Sequence, residues 1–332
     1  MNKEIVVPVV KLIGSYEEMG YAQANPSQWG LFAGQFDWYQ RNAPPCDASE
    51  VKRQLMKHAP FLLQEITELA NALEISMNLA LQIFSGYNVS FPEMGCTAFM
   101  QNSIYGRNYD FSPDIYDGRL VIAKPEKGFA SIGFSQHLTG RLDGMNEKGL
   151  VVGLHYVNNT PKGDGFSATA IVRMVLEQCA DLEQAVQFLK HVPHRFCYNF
   201  SILDQHGHAS VVEATPSGIS VRAGNNLACT NHFLSKELKG SNRKNTERSQ
   251  KRLDVLNKVN DLDSGEVYTL LNHHDSPLFF REYDRYFGTL HTVVYNPKEL
   301  TALVGIGEDA IPTAIDILDK DVPALIGKLI YE

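Results

Sequence analysis

The feature that most constrains this chain is an abrupt change of texture at Gly95. Residues 47–86 carry helical spacing, whereas after Gly95 short apolar runs recur with turn residues between them. Asp47 and Glu50 have the spacing of a capping box, and Pro60 divides the helical stretch in two. Phe61, Ile66, Leu69, Ala70 and Leu73 then form one apolar stripe, which Gly86 and Pro92 bring to an end.

Beyond Gly95, strands are predicted over 96–101, 105–111, 120–124, 130–134 and 150–157. Asn102-Ser103, Asp117-Gly118 and Asn146-Glu147-Lys148-Gly149 supply the turns. Connections this tight imply antiparallel neighbours. Two helices follow. Ile171, Val172, Val175, Leu176 and Cys179 share a face of the first; Asp181 with Gln184 caps the second, and Pro193 stops it. Further strands are predicted over 197–203, 209–213, 219–222, 227–230, 290–295 and 300–304, with a polar helix running to about Leu256. Strand blocks flanked by helix pairs predict an α+β fold, with two antiparallel sheets packed face to face and helices outside. We read one structural domain. A chain of 332 residues needs no disulfide or metal staple to fold this way.

Lys and Arg number 30 against 38 Asp and Glu, for a net charge of −8. No basic stripe interleaves with aromatics, so nucleic acid is not an expected partner. The basic run Lys239 to Arg252 reads as a solvated helix. No apolar stretch approaches the ~18 residues of a membrane helix. The segment from Met1 to Val10, interrupted by Pro8, lacks the form of a signal peptide. A cytoplasmic protein without a membrane partner is expected.

Five cysteines are scattered without a CxxC pair, so neither zinc nor a redox couple is indicated. Cys179 lies on a helix's apolar stripe, Cys197 and Cys229 lie in apolar strand patterns, and Cys46 follows two prolines in a loop. Cys96 stands apart. Gly95 leaves the preceding carbonyl uncrowded, and Arg107 and Asp110 follow at +11 and +14. Arg107 could lower the thiol's pKa and Asp110 could hold an ammonium; a strand-edge ion pair is the competing explanation. The grouping reads as a buried thiol that cuts its own chain before Cys96 and becomes an N-terminal nucleophile. His273-His274-Asp275 could suggest a metal, but adjacent strand residues point apart. His206 and His208 flank Gly207 in a predicted turn. No metal, nucleotide or other cofactor is expected. Trp29, Phe32, Phe36, Trp38 and Tyr39 could line an apolar acyl pocket or simply pack against the sandwich.

Several runs carry a family resemblance: Gly106-Arg107-Asn108-Tyr109-Asp110, Asp143-Gly144-Met145-Asn146-Glu147-Lys148-Gly149-Leu150 and Gly153-Leu154-His155-Tyr156. Ser201 to Asp204, Ser210 to Glu213 and Cys229-Thr230-Asn231 continue it. Together they resemble the choloylglycine hydrolase family of N-terminal-nucleophile (Ntn) hydrolases. The segment before Cys96 resembles the propeptide of the isopenicillin N acyltransferase branch. The resemblance implies an αββα sandwich and scission between Gly95 and Cys96. Residues 1–95 and 96–332 would remain associated as two chains, with a homo-oligomer also possible. It further implies a Cys96 thioester, Asp110 holding the new α-amine, Arg107 against the nucleophile and Asn231 donating to the oxyanion. His155 replaces the asparagine of bile-salt hydrolases, either as an oxyanion donor or as pocket wall. The family's later arginine falls at Arg248, with Arg252 the alternative.

The expected activity is hydrolysis of a linear amide in a small molecule. Transfer of the acyl group to an amine uses the same Cys96 and is the runner-up. A binding protein retaining the fold would leave Cys96 unreactive. A papain-like protease would need a helix-borne nucleophile, which the strand texture after Cys96 does not offer.

Overall fold

The computed structural model describes residues 3–25, 36, 38–41, 43–90, 92–285, 287–319 and 321–331. The helices are α1 (Tyr16–Gln23), α2 (Ala48–His58), α3 (Pro60–Ala72), α4 (Met77–Phe84), α5 (Ala168–Gln178), α6 (Leu182–His191), α7 (Glu247–Leu256) and α8 (Ser264–Asn272). One sheet contains β1 (Lys3–Gly14), β4 (Leu120–Pro125), β5 (Ser131–Gln136), β6 (Gly140–Arg141), β7 (Asp143–Asn146), β8 (Val151–Asn158), β9 (Cys197–Leu203), β10 (Ala209–Thr215), β11 (Gly218–Gly224) and β17 (Leu325–Tyr331). The other contains β2 (Gly95–Gln101), β3 (Ile104–Phe111), β12 (Leu227–Cys229), β13 (Arg281–Glu282), β14 (Phe287–Asn296), β15 (Thr301–Ile306) and β16 (Thr313–Asp316).

The first sheet runs β11-β10-β9-β8-β7-β5-β4-β1-β17, and the second β12-β2-β3-β14-β15-β16. They face each other through β2 with β8 and β10 with β12. Helix α5 covers β5 to β8 and α6 covers β10 and β11. On the far side α7 lies on β2 and β12, and α8 on β3, β14 and β15. The result is a four-layer αββα sandwich. Its central core takes Cys96, Ala98 and Met100 from one face of β2, while Phe99 on the opposite face packs with Leu253, Leu256, Val267 and Leu271 under α7 and α8.

Two features depart from the sequence expectation. The first is β1, whose residues read in sequence only as a short apolar run. Its first half pairs antiparallel with β17 and its second half runs parallel to β4, the one parallel strand pair among the described residues of a sheet expected to be antiparallel. Pro8 falls at the register shift where the strand changes partners, a place where its missing N–H costs no ladder bond. The second is that α1, α8, β16 and β17 carry patterns too short or too exposed to be read. Asp47 caps α2 by accepting from Ser49 N and Glu50 N, but Glu50 turns to Arg53 (2.8 Å) instead of closing the box.

The helices of 16–84 clamp onto the sandwich through polar groups. Glu65 pairs with Arg173 at 2.8 Å, both fully buried, and Arg173 also pairs with Glu177, which accepts from the Tyr16 hydroxyl at 2.7 Å. Gly20 lets α1 touch α3, since a Cβ there would overlap the carbonyl oxygen of Glu65. Within the aromatic stretch Tyr39 is buried and its hydroxyl accepts from Gln136 Nε2 at 2.7 Å, and Phe36 stacks with Phe84. These are packing contacts. Trp29 and Phe32 lie outside the described residues.

Candidate active site

Register explains why three residues separated in sequence converge. Strands β2 and β3 close through Asn102 and Ser103, both at positive φ (49° and 60°), the signature of a two-residue hairpin. That turn puts Gly95 opposite Asp110 and Cys96 opposite Tyr109, with Arg107 diagonal to Cys96 on the same face. On the other side β12 pairs with β2, Cys229 opposite Ala98. Extending that antiparallel register by two residues brings Asn231 level with Cys96.

Cys96 is fully buried. Its sulfur lies 3.3 Å from Arg107 Nη2 and its backbone nitrogen donates to Asn231 Oδ1 at 2.9 Å. Burial pushes the thiol up to about 11; Arg107 and Arg252 pull it down and Asp110 raises it. Arg107 donates to Leu154 O at 2.7 Å and is gripped by Asp143. Asp143 also accepts from Tyr295 OH at 2.8 Å and faces His291 Nε2 at 3.1 Å. Burial alone would raise the Asp143 carboxyl, but Arg107 and His291 outweigh it and hold it low. Gly153 is needed here, because a Cβ would overlap the Tyr105 hydroxyl and stand 3.0 Å from Arg107 Nε.

The orientation of the Asn231 amide follows from its partners. Oδ1 accepts from Cys96 N and from Arg252 Nη2 (2.7 Å), while Nδ2 donates to Tyr156 O at 2.9 Å and points at Met94 O, 3.4 Å away. Asn199 steadies the loop by donating to Thr230 O and His232 O, and Ser249 Oγ accepts from Asn231 N at 2.7 Å.

Arg252 reaches in from α7, donating to Cys96 O (2.8 Å), Thr97 Oγ1 (2.7 Å) and Asp110 Oδ2 (3.4 Å). Arg248, one turn earlier on α7, lies instead at the surface, with both terminal nitrogens 2.8 Å from Glu282. So Arg252 stands where the sequence reading put Arg248. Asp110 is buried beside Gly95 and accepts from Thr289 Oγ1 at 2.7 Å; burial raises its carboxyl despite Arg252. His155 is buried, with Nε2 2.7 Å from Ser201 Oγ, which in turn meets Tyr105 OH at 2.7 Å. Burial, with Arg107 and Arg252 nearby, keeps its ring neutral.

The structure therefore gathers Cys96, Arg107, Asp110, Asn231 and His155, and leaves Arg248 at the rim. Sequence reasoning missed Asp143 as a ligand of Arg107, although it opens the Asp143 to Leu150 run. It also missed Ser249 and Asn199. A cleft of about 630 Å³ opens at Gly95, lined by Met94, Arg243, Lys244, Lys251, Phe280 and Phe287 among others. Cys96 itself lies behind this wall.

The remaining candidates lie elsewhere. His273, His274 and Asp275 occupy an exposed turn after α8, not a strand, with ligand atoms within 4.8 Å of one another. His206 and His208 lie in the turn between β9 and β10, where His208 Nδ1 meets Asp204 Oδ2 at 3.1 Å. No helix among the described residues is long and apolar enough to cross a membrane.

The αββα sandwich is the Ntn-hydrolase fold, and Cys96 lies near the head of β2 with Arg107, Asp110 and Asn231 around it. The chain belongs to the family described as acyl-coenzyme A:6-aminopenicillanic acid acyl-transferase, whose profile matches residues 99–310. It is thus an enzyme of amide hydrolysis or acyl transfer. No curated protein matches it significantly. Among solved structures, a mutant conjugated bile acid hydrolase from Clostridium perfringens is 15% identical, covering 72% of this chain and 97% of that one at a TM-score of 0.43. The Caenorhabditis elegans ortholog of N-acylethanolamine-hydrolyzing acid amidase is 15% identical, covering 61% and 93% at 0.42. Penicillin V acylase from Agrobacterium tumefaciens is also 15% identical, covering 66% and 84% at 0.36.

Proposed function

We propose that this protein is an amidohydrolase that activates itself by cutting the Gly95–Cys96 bond. The observation that carries this reading is the pairing of Arg107 with the sulfur of Cys96 (3.3 Å) and of Asn231 with its nitrogen (2.9 Å). In the first reaction the Cys96 thiol adds to the Gly95 carbonyl carbon. The C–N bond then breaks, the nitrogen keeps the transferred proton, and a thioester joins Gly95 to the sulfur. Water hydrolyses the thioester, leaving a Gly95 carboxylate, a free thiol and an α-amine on Cys96.

In the mature enzyme the thiolate attacks a substrate amide carbonyl in the same place. The α-amine, with a reference pKa near ~8, carries the proton to the departing amine. Arg107 favours the thiolate. Asn231 Oδ1 already faces the nitrogen that becomes this amine, and the Nδ2 hydrogen now directed at Met94 O becomes available to an oxyanion once that segment moves. Water takes the acyl group in the last step. The matched family favours a second outcome, capture of the same thioester by an amine.

After scission the segments 1–95 and 96–332 stay together through the strand pairs of β1 and the Glu65–Arg173 contact. Intact-mass spectrometry tests the reading. Wild type is expected as two fragments parting before Cys96, and Cys96→Ala as one full-length species. A wild type that turns over amides while remaining whole would overturn self-processing. Turnover of an acyl donor with and without added amine separates hydrolysis from transfer.

A further inference from the structure

Resting on the Cys96 reading above, we infer that the mature site selects amides whose acyl chain ends in a carboxylate, read by Arg243 and Lys244. Three observations converge on the cleft at Gly95. Its wall carries Arg243, Lys244, Arg248, Lys251 and Arg252 against only Glu93 and Glu247, in a chain whose net charge is −8. A concentration of one sign in a cleft attracts the opposite sign from solution. The basic run that looked like a solvated helix face therefore forms part of the wall beside the reacting bond.

The partners of these cations are unequal. Arg248 is matched by Glu282, Lys251 by Glu247 and Arg252 by Asp110, all outside the 92–95 segment. Lys244 has no partner among the described residues. Arg243 is held from behind by the Tyr156 ring, 5.9 Å away, and its carboxylate partner is Glu93 at 3.3 Å. Glu93 belongs to the very segment that scission turns into a free end.

That arrangement assigns the direction of the acyl chain. In self-cleavage the acyl group on Cys96 is Gly95, and the chain behind it runs through Met94 to Glu93. A substrate acyl group on the same sulfur has the same exit. Phe287 stands nearest the reacting end, since a Cβ on Gly95 would lie 2.6 Å from its ring. Arg252 lies at the reacting bond itself, whereas Arg243 lies further out beside Glu93, at the reach of two extended residues, roughly 7 Å. An apolar stretch of a few carbons followed by a carboxylate fits this sequence of walls, with the carboxylate replacing that of Glu93 on Arg243.

The test is protection of Cys96 in the mature protein from alkylation by iodoacetamide, followed by peptide mass analysis, with Cys46 on the other fragment as internal reference. Glutaramate, which carries an amide and a terminal carboxylate, is expected to slow Cys96 labelling at roughly tenfold lower concentration than pentanamide. Arg243→Glu with Lys244→Glu is expected to erase that advantage while Cys46 labels unchanged. Equal protection by both compounds, no protection by either, or an advantage that survives the double substitution would overturn the inference and leave the nucleophile standing. Failure of iodoacetamide to label Cys96 at all would overturn the nucleophile, and the inference with it.

Discussion

The backbone nitrogen of Cys96 donates to the side-chain oxygen of Asn231 at 2.9 Å, so one amide touches the group that scission would convert into the proton carrier. Replacing Asn231 by Asp keeps that oxygen but removes the N–H. If the N–H serves the oxyanion, Asn231→Asp lowers kcat by ~10²–10³ with KM within a few-fold. Steady-state kinetics check this. An equal loss in both parameters would remove Asn231 from that role.

Arg252 and Arg248 make a paired test. Arg252→Lys keeps the charge but loses the fork that spans Cys96 O, Thr97 and Asn231. It is expected to slow both scission and turnover by ~100-fold. Arg248→Ala, which frees a surface pair with Glu282 and a contact with the Phe280 ring, should change either rate less than ~3-fold. Reversal of that order would restore Arg248 as the site arginine.

The thiol of Cys96, pushed up to about 11 by burial, is protonated at neutral pH in the uncut chain. Below its pKa the thiolate fraction rises tenfold per pH unit. Scission of freshly folded protein, followed by mass against time, is therefore expected to accelerate about tenfold per unit from pH 7 to 9. A flat profile would mean that the thiolate is not the attacking species.

Gly95→Ala places a methyl 2.6 Å from Phe287 and 3.0 Å from Asp110. The Phe287 ring can turn toward the cleft, but strand pairing holds Asp110 Cβ opposite residue 95, so the peptide bond must shift relative to the sulfur. Scission should slow by ~10²-fold, the scale of an ångström misplacement at a reacting centre, while circular dichroism stays native. Wild-type scission in this variant would show that the bond tolerates displacement.

Glu65→Ala leaves Arg173 buried with Glu177 as its remaining acid. Loss of one partner of a buried pair predicts destabilisation by ~3 kcal/mol. In cleaved protein the same change should let the fragments separate at lower urea, seen by size-exclusion chromatography. Unchanged separation would locate their adhesion elsewhere.

What could be read from the residues follows what local physics controls. Cys96, Arg107 and Asp110 were legible because a two-residue turn fixes the register that joins them. Asn231 was legible through its short motif. The choice between Arg248 and Arg252 was not, since both lie on one helix a turn apart and only tertiary packing decides which turn faces the sandwich. Asp143 meets Arg107 from the opposing sheet, a relationship no spacing encodes. Strand β1 was not legible because Pro8 breaks its pattern, and its two halves answer to different partners.

The position of β1, between β4 and β17, has a bearing on how this protein can be produced. A gene shortened to begin at Cys96 would give that residue a free amine from the start, yet would omit the strand that joins those two neighbours. The expected product is an insoluble half-molecule, recoverable by co-expressing the missing piece. Scission of the folded chain, as proposed above, would deliver the amine without ever opening the sheet.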